Sequence, residues 1–171
     1  MDSINPEPSS PTGQQLLELE RSSRQQGSGI DGDSICATWW LDQLWGRRQA
    51  RSMGRSAALM RTLQACLEIG MEAERLVLRN SVTVGGLSLC FYGHGQLQGR
   101  RPLLQFSFDR LQVRWGERIL LERSLPQPEA RKLPFFALIA LERQGEGGWL
   151  AARGRGGGLA LWRLKPAAAH D

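Results

Sequence analysis

From Gly70 to Leu164 apolar residues recur at every second position, and Gly, Asn or Pro interrupts the runs at short intervals. That period marks strands that bury one face, and closely spaced turns join such strands as antiparallel neighbours. Leu76 and Leu78 alternate with Arg75, Val77 and Arg79 before Asn80, which reads as a break. Gly85-Gly86 then separates this run from Leu87, Leu89 and Phe91. Leu104, Phe106 and Phe108 share the next face, whereas Leu111, Val113 and Trp115 have the opposite parity. Keeping both sets inside requires a bulge or bend near Asp109-Arg110. Trp115-Gly116-Glu117 turns the chain into Ile119 to Glu122, and Pro126, Pro128 and Pro134 mark a loop, because Pro cannot serve a central ladder.

One later segment departs from alternation. Residues 135–141, Phe-Phe-Ala-Leu-Ile-Ala-Leu, are apolar on both faces, so as a strand they must be covered on each side by protein, ligand or membrane. Turns at Gly145–Gly148 and Gly154–Gly158 follow and give three closely spaced terminal strands. Upstream, Ala37 to Trp45 combines strong strand formers and reads as the first strand. Between Ser56 and Ile69 the spacing of Leu59, Leu63 and Leu67, with Gly70 as a stop, predicts a short helix. Residues 1–30 read as a mostly flexible tail containing one helix over Gln14 to Arg24, capped by Thr12. About seven or eight short strands predict a mainly β fold: a lipocalin-like antiparallel β-barrel over residues 31–165, with an N-terminal helix and one short internal helix. A sandwich is the structural alternative, and residues 166–171 read as a disordered tail.

Charge sets the first functional bounds. The net charge is +5 and 20 of the 22 basic residues are Arg, a side chain suited to carboxylate or phosphate. Arg47, Arg48, Arg51, Arg55 and Arg61 fall within Gly46 to Arg61 without an acidic residue, so this patch would attract an anionic membrane surface or nucleic acid. No uncharged apolar stretch is long enough for a membrane-spanning helix. The N-terminus lacks the basic and apolar blocks of a secretory signal, and Cys36, Cys66 and Cys90 read as reduced core thiols. Both predict a cytoplasmic protein.

The residues that could carry catalysis are few. His94 and His170 are the only histidines, and no Asn or Asp is clearly placed to orient His94 towards Cys90, four residues away on the same predicted face. Metal-ligand spacings are lacking, and Gly154-Arg-Gly-Gly-Gly158 has no following helix to complete a phosphate-cradling loop. The expectation is a protein that is not an enzyme and needs no cofactor beyond a bound lipid or pigment. Trp39, Phe91, Phe106, Phe108, Phe135 and Trp162 would line such a cavity, although the same aromatics would equally fill a solid core.

The last hairpin carries a resemblance. Arg153-Gly154-x-x-Gly157-x-Leu159-Ala160-Leu161-Trp162 is similar to the ending of the plastid lipid-associated (fibrillin, or plastoglobulin) proteins of plants and cyanobacteria. Arg101-Pro-Leu-Leu, Phe106-x-Phe108 and the Trp-containing first strand extend the likeness over about residues 35–164. It implies a cyanobacterial-type barrel that binds apolar lipids or isoprenoid pigments, peripheral to thylakoid-type membranes or lipid globules, with Arg153 at the ligand site. One departure concerns that role: the family's acidic residue upstream of the Arg-Gly turn is missing from Trp149-Leu150-Ala151-Ala152. The alternatives are a lipocalin-like bilin lyase, or a nucleic-acid-binding module, the latter disfavoured because the Arg-Gly segment is single and flanked by strands.

Overall fold

The structure, a computed structural model, describes residues 9–46 and 64–164. The patch residues Arg47, Arg48, Arg51, Arg55 and Arg61, and the tail 166–171, lie outside the described residues. Helices α1 (Gly13–Gln26) and α2 (Gly32–Ile35) precede β1 (Ala37–Trp45), β2 (Ala65–Glu72), β3 (Arg75–Val84), β4 (Leu87–Gln98), β5 (Leu103–Trp115), β6 (Arg118–Ser124), β7 (Phe135–Gln144), β8 (Gly147–Gly154) and β9 (Leu159–Leu164). The strands form one antiparallel sheet in the order β4-β3-β2-β1-β9-β8-β7-β5-β6, and a β4–β5 pairing closes it into a barrel-like ring. β5 is long enough to serve two partners on one edge. Its first residues, Leu103–Gln105, pair with β7 to complete the ring, while Arg110–Trp115 carry β6 outside it.

The expected bulge is present. Tyr92 faces Arg110 and Gly93 faces Phe108, which leaves Asp109 as the extra residue of β5. Leu111, Val113 and Trp115 are thereby returned to the inner face shared by Leu104, Phe106 and Phe108. The bulge brings the two backbones together so closely that a Cβ on Gly93 would lie 1.8 Å from the Ser107 carbonyl oxygen. Only glycine fits there.

The helix expected over Ser56 to Ile69 is corrected where it is described: residues 65–69 belong to β2. Ile69 faces Ala37 on β1 and Leu78 on β3, so Leu67 and Ile69 are buried by strands on both sides. Sheet pairing outweighs a local spacing that Leu63 and Leu67 alone would satisfy either way. Gly70 is not a helix stop but an internal strand residue. The short helix is instead α2, held by an Asp31–Ser34 capping box. Asn80 likewise does not break its strand, which runs on to Val84.

Two apolar layers follow from the ring. Inside it, Leu76, Leu78, Leu104, Leu138, Leu150 and Trp162 pack together, and Ile35 and Trp39 close one end, where the Trp39 indole donates to the Ile35 carbonyl at 2.8 Å. Outside it, Leu16 of α1 packs with Ile139, Trp149, Ala151 and Leu161. This second layer explains the doubly apolar segment of β7: Leu138 points in, and Ile139, the extra residue of a second bulge, joins the layer under α1. Helix α1 begins at its Thr12 cap, as its sequence indicates, yet it docks on the barrel rather than lying in a free tail. Among the described residues no helix is long and apolar enough to cross a membrane.

The Gly93 approach sets a first test. Gly93→Ala is expected to destabilise the protein by about 4 kcal/mol or more, because backbone rather than a flexible side chain occupies the space. Gly156, with nothing near its Cβ direction, should accept Ala with little change. Urea denaturation of the two variants makes the comparison.

Candidate functional site

At the end of the barrel away from α2, the core opens into a cavity of about 400 Å³. Leu41, Leu44, Leu67, Val82 and Ala160 supply its aliphatic wall, and Phe106, Phe108, Phe136 and Trp162 its aromatic one. The rings are in contact in sequence: Phe108 lies 5.4 Å from Phe106, Phe106 5.2 Å from Phe136, and Phe136 5.2 Å from Trp162, centroid to centroid. Tilted, stacked and edge-on pairs of this kind hold one another in place, so the wall is organised before anything binds.

Apart from the Trp162 indole N–H, the polar side chains among the described lining residues are those of Cys66 and Asn80. Register places Asn80 opposite Leu67 on one side and Phe91 on the other, which puts it on the inner face. Its amide makes no hydrogen bond among the described residues. A neutral amide in an apolar wall can accept from or donate to a single hydroxyl or carbonyl of a guest.

The sequence-predicted residues divide into groups. Phe106, Phe108 and Trp162 line the cavity, and Phe91, 5.6 Å from Phe108, continues the aromatic row beyond it. Trp39 is fully buried at the closed end and acts as a plug, not a wall. Phe135 is replaced by its neighbour: Phe136 faces Leu104 in the core, while Phe135 faces Gln105 and points outwards. In a run that is apolar on both faces, parity cannot tell the two apart.

Arg153 is the larger correction. It lies on the outer face of β8 with Trp149 and Ala151, beneath α1, and does not touch the cavity. Its Nε donates to Glu20 Oε1 at 2.7 Å, its Nη2 to Glu20 Oε2, and its Nη1 to the Gly157 carbonyl. Arg101 donates to the same carboxylate at 2.8 Å and Arg24 at 2.9 Å. A carboxylate thus does reach the Arg-Gly turn, from the helix rather than from the strand before it. Burial alone would raise the Glu20 pKa, but the hydrogen bonds from Arg153 and Arg24 overcome it and hold the carboxyl at about 2.

On the opposite outer face the bulged Asp109 comes within 3.3 Å of His94 Nδ1, an orienting acid that the sequence did not clearly place. Cys90 is no partner for this pair, since four residues of extended chain separate it from His94 by about 13 Å. Its buried sulfur instead lies 3.7 Å from an Arg79 nitrogen. Both His94 and Asp109 are well exposed, which suits a surface polar contact better than proton transfer in a sheltered site. No group of three or more metal-ligating side chains comes together among the described residues.

Comparison with family models, curated proteins and solved structures returned no match to this chain.

The Glu20 cluster predicts acid lability. A carboxyl whose pKa is depressed on folding stabilises the fold above its ordinary value, here 4.5, and loses that contribution as pH falls towards about 2. The shift corresponds to about 3 kcal/mol. Glu20→Gln should cost about 3 kcal/mol near neutral pH, because it leaves Arg153 and Arg101 facing a neutral group, and should flatten the dependence of stability on pH in that window. Denaturation curves collected from neutral to acid pH test both outcomes.

Proposed function

We propose that this protein is a binding protein whose barrel holds an apolar, lipid-like guest with one polar group, of the isoprenoid or long-chain alcohol class. The observation that carries the reading is the aromatic-walled cavity itself. Its volume lies in the range of small-molecule sites, and burial of a hydrocarbon against four ring faces needs no further specificity than shape. Asn80 is the group that would orient the guest by its single polar end. The plan agrees with what the resemblance to plastid lipid-associated proteins implies. A peripheral position on thylakoid-type membranes or lipid globules belongs to the same proposal.

A bilin is less well supported as the guest. Its propionates call for cations, and the described wall carries none. Arg153, which precedes Gly154 of the wall in sequence, is engaged by Glu20 outside the barrel.

Two substitutions test the reading. Ala160→Leu should fill the cavity and abolish uptake of a long-chain alcohol, followed through Trp fluorescence, while thermal melting checks that the barrel is intact. Asn80→Leu should weaken binding of that alcohol by about five- to tenfold, the worth of one hydrogen bond, and leave the matching alkane unaffected. If the wild-type protein takes up neither probe and solvent extraction of the purified protein yields no lipid, the proposal fails.

A further inference from the structure

The strands of β3, β4 and β5 continue past the point where the ring needs them. Beyond the cavity, Val82 pairs with Leu89, Leu89 with Val113, and Val113 with Leu121. One step further out Val84 pairs with Leu87, and Leu87 with Trp115. Val82 also lines the cavity, so one apolar strip runs from the cavity wall to the tip of a four-stranded ribbon. At the tip this strip is open to solvent: Trp115 is 60% exposed, Leu121 53% and Val84 52%.

The opposite face of the same tip is also apolar. Ile119, 48% exposed, pairs with Arg114 on the outer side, and Leu120, 55% exposed, is the extra residue of a bulge in β6. All residues of β6 are exposed, so its apolar side chains project from both faces of a thin ribbon. Basic residues border them. Arg114 and Arg110 have acidic neighbours in Glu117 at 3.7 Å and Glu122 at 3.9 Å, but Arg118 and Arg123 have no ion-pair partner among the described residues. The rim is therefore net positive.

We infer that this ribbon tip is a docking surface for a lipid layer with anionic headgroups. The choice of partner rests on the proposed lipid-binding reading, and three features support it. A protein groove covers one face of a strand, whereas a lipid layer surrounds a thin element and takes apolar side chains from both faces at once. A Trp flanked by Arg is suited to the headgroup boundary, with its ring below and the guanidinium groups at the phosphates. The free edge of β6 is a poor template for a second copy, since the bulge at Leu120 interrupts its ladder.

The test uses the full chain and vesicles of phosphatidylcholine and phosphatidylglycerol. The wild-type protein should co-float with them, and the double variant Trp115→Ser/Leu120→Ser should partition at least about tenfold more weakly, as expected for two lost apolar side chains. Its uptake of a long-chain alcohol should be unchanged, which separates this inference from the cavity reading. Brominated phospholipid should quench the wild-type fluorescence, and Trp115→Phe should keep vesicle binding but lose most of that quenching. Equal flotation of the double variant, or quenching that survives Trp115→Phe, overturns the inference. So does a concentration-dependent dimer in which the double substitution, but not the vesicles, changes the mass.

Discussion

A single carboxylate joins the two halves of this architecture. Glu20 comes from a helix that precedes the barrel, and it is gripped by Arg153 from β8 and Arg101 from the turn before β5. Neither the acid nor its partners could be buried alone, because an uncompensated charge in that position costs more than the surrounding contacts return. With the cluster in place, Leu16 can seal the outer face of β7, β8 and β9. Those strands are then apolar on both sides, as parallel strands of an α/β protein are, although every pairing here is antiparallel.

Much of the barrel could be read from the chain because its evidence is local. Turn glycines, the Thr12 cap and the alternation of β3 to β5 each act over a few residues. The bulge at Asp109 was visible as a conflict of parity between Phe108 and Leu111, which only an extra residue resolves. β2 was misread for the converse reason. Its apolar spacing suits a helix as well as a strand, and what decides is the pair of neighbouring strands, one before it and one after. The fixed position of α1 was hidden in the same way, since a Glu on a Leu-bearing helix looks solvated until its cationic partners are known.

The site was legible in part. Aromatics on strands of clear alternation, Phe106 and Phe108, could be assigned to the interior, and so could Trp162. Phe135 was confused with Phe136 because a doubly apolar run has no polar face to fix its parity. Asn80 was overlooked for its residue type, yet its even spacing from Leu76 and Leu78 carried the signal. Arg153 was placed at a ligand by resemblance, and its true partner lies 133 residues earlier in the chain, beyond the reach of any motif.

The attachment of β6 has a consequence for how such a chain can vary. Ring closure uses Leu103–Gln105 of β5 against β7, while Gly116 to Ser124 hang from the far end of the same strand. Insertions or deletions there need only leave enough chain to return to the start of β7. The interior can thus stay fixed while the appended ribbon lengthens, shortens or changes its surface, and the two parts are free to diverge at different rates.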